Sequence, residues 1–217
     1  GTAYARAKDW IVFEDLMQLR VGINSNQLKH RFALAVFYFS TTRNEPWRSC
    51  NAPYPAENNS TCTYLQPARS PDGLSLDFRE VPNMIRWLSE HSECAWYGIV
   101  CGQDGLVAKI DVQGMGIKGN LTRLLAADAD EEQDGFASNI LLKAFPALQV
   151  LYLHYNEFTG NLPESLAGFS NLLALEMHGN KFTGEIPTLY LEKLTSLQLL
   201  NLGENQLSGS LDTRIGQ

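Results

Sequence analysis

No apolar run in this chain exceeds eight residues, the stretch from Phe32 to Phe39. A helix that crosses a membrane needs about 20, so no membrane insertion is expected within these 217 residues. Basic charge is in short supply: 17 Lys and Arg face 24 Asp and Glu, a net charge of −7. Neutralising phosphates requires the opposite balance, so no nucleic-acid partner is expected. The opening Gly1-Thr2-Ala3-Tyr4 is neither a basic n-region nor an apolar h-region, which leads us to expect a processed chain or a fragment. The motifs G-x-S-x-G and H-E-x-x-H and the P-loop are all missing. Nothing gathers serine, histidine and acid in one place, so the expectation is no catalytic residue, no cofactor and no enzyme activity.

What is present is a globular composition, 44% hydrophobic and 19% charged, which excludes a disordered chain. The four cysteines are Cys50, Cys62, Cys94 and Cys101, none in C-x-x-C spacing. The usual zinc and thioredoxin signatures are therefore missing. Three pairings are open; loop-closure entropy favours Cys50–Cys62 and Cys94–Cys101. N-x-S/T sequons start at Asn58, Asn59 and Asn120, the first two overlapping. An even cysteine count with sequons points to the secretory pathway, as a secreted glycoprotein or on the extracellular face of the plasma membrane.

The second half repeats itself. Segments starting at Ile110, Leu151, Leu175 and Leu200 read apolar-x-apolar-x-x-(Asn)-x-apolar-x-Gly-x-apolar. The last two steps are 24 and 25 residues; the first is 41, which predicts about one extra half-coil there. Apolar-x-apolar is a short strand with one buried face. Asn156, Asn180 and Asn205 recur at one position, where an inward amide can satisfy turn backbone of its own and the adjoining coil. Met115 stands there in the first copy, so the ladder should begin one coil late. Gly119, Gly160, Gly184 and Gly209 recur where the chain bends back, and Pro163 and Pro187 stop further pairing. No coil closes its own core, so the coils must stack.

This pattern resembles the plant-type leucine-rich repeat, L-x-x-L-x-L-x-x-N-x-L-x-G-x-I-P. Leu148, Leu151, Leu153, Asn156, Phe158, Gly160, Leu162 and Pro163 carry it, and so do Leu172, Leu175, Met177, Asn180, Phe182, Gly184, Ile186 and Pro187. Cys94-Ala-Trp-Tyr-Gly-Ile-Val-Cys101 resembles the family's N-terminal cap, C-x-W-x-G-V-x-C. Phe32–Thr41 with Trp47 and Trp87 resembles the helical part of such caps, and the wording is similar to that of diatom leucine-rich repeat proteins. Cys50 and Cys62 lie outside the usual plant cap. The resemblance implies an α/β fold: a right-handed solenoid with a parallel sheet on its concave face and a helical, disulfide-pinned cap. It divides the chain into a cap, 1–105, and four repeats, 106–217, with an acidic insertion at about 126–143. Family members carry such repeats in receptor ectodomains, receptor-like proteins and secreted hydrolase inhibitors.

Within the cap, residues 1–45 read as helices, with Trp10, Phe13 and Met17 near one face. Leu28, Phe32, Ala35, Val36 and Phe39 share another. A membrane-surface helix aided by Lys29, His30 and Arg31 competes with burial, which is the default for an apolar stripe. Residues 46–82 hold six of the nine prolines and read as a loop pinned by the first disulfide. Pro82 opens a predicted helix, Asn83–Glu90, with Ile85 and Leu88 inward.

Three further motifs have a possible chemistry. Gly114-Met-Gly-Ile-Lys-Gly119 matches G-x-G-x-x-G, but a dinucleotide site needs a helix next, and Ile117 and Gly119 are already repeat positions. Asp128-Ala-Asp-Glu-Glu-Gln-Asp-Gly135 breaks calcium-loop spacing and reads as a solvated insertion, with docking of a basic partner as the alternative. His154 and His178 share a strand position one coil apart, yet Gly203 follows in that column, so no metal site is expected.

Outward positions alternate with the buried leucines and give three columns. One is Asp111, Tyr152, Glu176, Asn201; the next is Gln113, His154, His178, Gly203. The outermost is Gly114, Tyr155, Gly179, Glu204. The expected ligand-binding residues are Asp111, Gln113, Tyr152, His154, Tyr155, Glu176, His178, Asn201 and Glu204, a mixture suited to protein or peptide. The expected function is a non-catalytic recognition module of a receptor-like or secreted protein. The alternatives are a secreted hydrolase inhibitor or a structural subunit of a larger assembly. The chain stops in mid-coil without a closing cap, so it is expected to continue or to be covered by a neighbour.

Overall fold

The computed structural model describes residues 2–20, 22–42, 46–51, 61–69, 76–122 and 140–210. Helix α1, Ala3–Asp9, begins where Thr2 Oγ1 accepts from the Ala5 amide at 3.1 Å. It runs into a π-helical turn, Trp10–Glu14. Trp10 is buried as expected, but Phe13 is 80% exposed, because the wider turn rotates it off the face shared by α1 and Trp10. Helix α2, Ser25–Thr41, is buried on almost every side from Ala33 to Tyr38. Leu34 and Phe37 of α2 line one apolar cavity with Ile110, Leu148 and Leu151 of the repeats. The helix thus covers the first coil, which would otherwise expose its leucines.

An aromatic chain continues from α2. The ring of Trp47 lies 4.8 Å from that of Tyr38 and 4.9 Å from that of Trp87. Trp87 leads to Trp96 at 6.0 Å, and Trp96 to Trp10 at 6.2 Å. Arg31 is wholly buried among them, its guanidinium 4.7 Å from the Trp96 ring centroid and 5.3 Å from that of Trp10. It donates through Nε to Asp15 at 2.7 Å and through Nη2 to the other Asp15 oxygen. The backbone oxygens of His91 and Ser89 accept from it at 2.7 and 3.1 Å. His30, also buried, sits 3.3 Å from Glu93. These contacts overturn the membrane-surface reading: two of the three polar residues that would have met lipid headgroups are interior. Among the described residues no helix is long and apolar enough to cross a membrane.

Both favoured disulfides are present, Cys50–Cys62 and Cys94–Cys101. The segment read as loop and helix is instead an antiparallel hairpin of β1, Thr61–Arg69, and β2, Leu76–Ile85. Its register shifts between Cys62 and Tyr64, which pair with Met84 and Val81, so Pro82 and Asn83 fall in a bulge. A bulge is where a strand tolerates proline, and Asn83 takes a positive φ of 63° there. The proline therefore kinks a strand rather than starting a helix.

The repeats build two sheets where one was expected. Strands β4 (Val107–Asp111), β6 (Val150–Tyr152), β8 (Ala174–Glu176) and β10 (Leu199–Asn201) pair in parallel. The cap adds β3, Ile99–Cys101, antiparallel on the β4 edge. A second parallel sheet follows the turns: β5 (Lys118–Asn120), β7 (Glu157–Asn161), β9 (Lys181–Gly184) and β11 (Gln206–Leu207). It forms because the segment after each Asn stays extended and finds the same segment of the next coil beside it. Ile110 pairs directly with Leu151, Leu151 with Leu175 and Leu175 with Leu200. The strands on either side of the long first step are therefore direct neighbours. Residues 123–139 of that step, where the extra half-coil was expected, lie outside the described residues.

The asparagine ladder begins one coil late, as Met115 required. Asn156 donates to the Val112 oxygen of the previous coil at 2.8 Å and to Leu153 O at 3.0 Å, and accepts from the Ile117 amide at 3.0 Å. Asn180 repeats this on Leu153 O, Met177 O and the Phe158 amide, and Asn205 on Met177 O, Leu202 O and the Phe182 amide. Each amide thus satisfies buried backbone in two coils at once. Cap and repeats share one continuous apolar core.

Candidate functional site

The outward face of the five-stranded sheet carries the columns in the expected register: Asp111 pairs with Tyr152, Tyr152 with Glu176, Glu176 with Asn201. The second and third columns follow through backbone bonds: Gly114 N to His154 O, Tyr155 N to His178 O and Gly179 N to Gly203 O. Gly114, Tyr155, Gly179 and Glu204 all take positive φ, so the outermost column is one left-handed turn repeated four times. Two of them are Tyr155 and Glu204, side chains held in a conformation that favours glycine. A Cβ on Gly179 would stand 2.5 Å from Cδ1 of Tyr155, so the missing side chain makes the seat for that ring.

The first coil contributes less than expected. Asp111 is buried and holds Lys109 Nζ at 3.0 Å. The hairpin covers the next two positions: Tyr64 donates its hydroxyl hydrogen to Gln113 O at 2.7 Å, and Pro67 packs on Gly114. Burial pushes the Tyr64 phenol up to about 12, against the opposing effect of a hydrogen bond with Tyr97, whose ring lies 4.2 Å away. Lys109 itself, 4.7 Å over the Tyr152 ring, belongs to the site and was not anticipated. The signal existed: Lys109 precedes Asp111 by two, hence lies on the same side of β4.

The middle coils form an aromatic group. The His154 and His178 rings stack at 4.5 Å, 14° from parallel. Tyr155 meets His178 edge-on at 4.7 Å, and Tyr152 meets His154 at 5.6 Å. His154 Nε2 lies 2.6 Å from Gln113 Oε1, while its Nδ1 is buried without a hydrogen-bond partner. Burial first, and then the neighbouring His178, push the His154 imidazole down to about 4. His178 Nδ1 lies 3.5 Å from Glu176 Oε2. The third group that the column lacked at Gly203 is thus Glu176, two residues before His178 on the same face. One ligating atom each from His154, Glu176 and His178 lie within 4.8 Å of one another. Asn201 and Glu204 extend the face to the fourth coil, Glu204 exposed and Asn201 half-buried.

Other candidates fall elsewhere. The glycine motif leads into β5, not a helix, and its Met115 and Ile117 are core. Asn58, Asn59, the acidic run Asp128–Asp134 and the end after residue 210 lie outside the described residues. Asn120 is half-buried at the end of β5, its amide against Gly160.

Residues 147–169 match the Leucine Rich Repeat family. None of the curated proteins matches the chain. Similar solved structures include the following three. A PEPR1–AtPEP1 structure shares 27% identity over 56% of this chain and 15% of its own, with a TM-score of 0.45. The BIR3–SERK2 complex of Arabidopsis thaliana shares 25% over 58% of each chain, at 0.46. The Arabidopsis receptor kinase HAESA ectodomain, with an IDA peptide hormone, shares 24% over 59% of this chain and 19% of its own, at 0.48. The chain thus spans from about a seventh to under two thirds of the length of these structures.

Proposed function

We propose that this chain is a leucine-rich repeat protein and a non-catalytic recognition module that binds a peptide or protein segment outside the cell. The ligand lies across the outward sheet face, over Tyr152, Tyr155, Glu176, His178, Asn201 and Glu204. The observation that carries this reading is the His154–His178–Tyr155 group: flat rings, fixed by strand register and a glycine seat, with Glu176 beside them. Rigid aromatic groups bind at low entropic cost, and a neighbouring carboxylate selects for a basic residue in the ligand. The hairpin bounds the platform at the first coil, so contacts concentrate in coils two to four. Two disulfides and three sequons support an extracellular setting, with Asn120 or the Asn58/Asn59 pair as glycan sites. Cap and repeats act as one unit.

The test is affinity capture of synthetic peptide libraries on the immobilised chain, beside a Tyr155→Ser, Glu176→Arg double variant. The reading requires peptides, enriched in Lys or Arg, that the wild type retains and the variant releases. Equal retention by both, or by neither, sinks it.

A further inference from the structure

We propose that His154, Glu176 and His178 bind a divalent first-row transition ion of the Zn2+ class. The donor set is two imidazoles and a carboxylate. That combination suits zinc and its neighbours and not calcium or magnesium, which take oxygen ligands alone. One ligating atom from each residue already lies within 4.8 Å of the others. The backbone beneath them is fixed: β6 and β8 pair Tyr152 with Glu176, and the Tyr155 amide bonds the His178 oxygen at 3.0 Å. Side chains placed by a sheet need little ordering to close on an ion.

Gln113 supplies the support that metal-ligating imidazoles usually have. Its Oε1 accepts at 2.6 Å from His154 Nε2, so that nitrogen carries the hydrogen and Nδ1 keeps a lone pair. That Nδ1 is buried and meets no hydrogen-bond donor, in a residue 7% exposed. A buried acceptor left unsatisfied has a cost that a metal ion removes. The positive charge nearby, Lys109, is tied to Asp111 at 3.0 Å.

Closing the site has a geometric consequence. Zinc–nitrogen bonds of about 2.0–2.1 Å set tetrahedral ligand atoms about 3.4 Å apart. Imidazole lone pairs lie in the ring plane, whereas the two rings now stack 14° from parallel. Binding therefore turns at least one ring out of the stack and displaces the edge of Tyr155 against His178. Three protein ligands leave a fourth position for water. The site shares Glu176, His178 and the ring stack with the proposed peptide platform, so a bound ion would reshape that platform; the ion needs no macromolecular partner, and its uptake is therefore measured without peptide.

The test uses chain stripped with EDTA and then titrated with ZnCl2 by calorimetry, with CoCl2 as the spectroscopic probe. One equivalent should bind with micromolar affinity, Co2+ should show the intense visible band of a four-coordinate site, and the Tyr155 ring resonances should shift. His154→Gln, Glu176→Gln and His178→Gln should each weaken binding by about tenfold or more, and His91→Gln should leave it unchanged. If His154→Gln fails to fold, Glu176→Gln and His178→Gln carry the test, since their side chains are more exposed. No uptake by the wild type overturns the proposal. So does uptake that survives both Glu176→Gln and His178→Gln, which would place the ion elsewhere.

Discussion

The carbonyl oxygen of Asp111 occupies the place where a Cβ on Gly98 would sit: the built atom falls 1.9 Å from it. Gly98 has φ +79° and accepts from the Asp111 amide at 2.7 Å, so the cap strand joins the first coil at this glycine. Gly98→Ala combines left-handed strain with a backbone clash, and should cost about 3 kcal/mol or more. Urea denaturation measures it, and a loss under about 1 kcal/mol would mean that the two backbones do not meet this closely.

Asn180→Ala removes three hydrogen bonds to buried backbone in two coils. At about 1–3 kcal/mol per buried group left unpaired, partly relieved by water, the expected loss is about 2–4 kcal/mol. Asn205→Ala should cost less, because Asn205 is only half-buried. Equal costs at the two positions would argue against a ladder that gains from coils on both sides.

Arg31→Ala leaves Asp15 buried without its counter-charge. Breaking one side of such a pair costs about 3–5 kcal/mol. The double variant Arg31→Met, Asp15→Leu should recover part of that loss: it removes the pair, but leaves buried Glu93, 4.0 Å from Arg31 Nη1, with His30 alone. A thermal melt of the three proteins checks the order: wild type, then double, then single.

His154 gives the fold a pH dependence whose sign is fixed. Its ordinary value is 6.5 and its folded value about 4. Between these limits the unfolded chain takes up a proton that the folded chain refuses, so stability falls as pH drops from 6.5 towards 4 and is unaffected by this group above 6.5. Urea midpoints at pH 7, 5 and 4, in EDTA, should show the decline. Replacing His154 with Gln should flatten it, and an unchanged slope would assign it to other groups.

How much of this could be read beforehand follows from distance along the chain. The strand register, the late start of the asparagine ladder and the outward columns all derive from a period, and period is local information repeated. The second sheet is not legible because its strands are short and contain the glycine at which a bend is expected, and they are held by the next coil rather than by their own residues. The hairpin is not legible because the bulge that accommodates Pro82 depends on the partner strand and leaves no mark beside the proline. Arg31 read as a surface charge since Asp15 and the His91 carbonyl, 16 and 60 residues away, leave no mark near it. Glu176 joins the two histidines along the strand, two residues before His178, whereas the column across coils ends at Gly203.

All four tryptophans, Trp10, Trp47, Trp87 and Trp96, lie in the aromatic chain of the N-terminal cap, and the repeats hold none. Intrinsic indole emission therefore reports on the cap alone, while the far-ultraviolet signal of the sheets reports mostly on the coils. Heating the chain while following both signals separates the two halves without any label. Coincident transitions mean that the continuous core makes the halves melt as one body, and an earlier fluorescence change means that the solenoid outlives its lid.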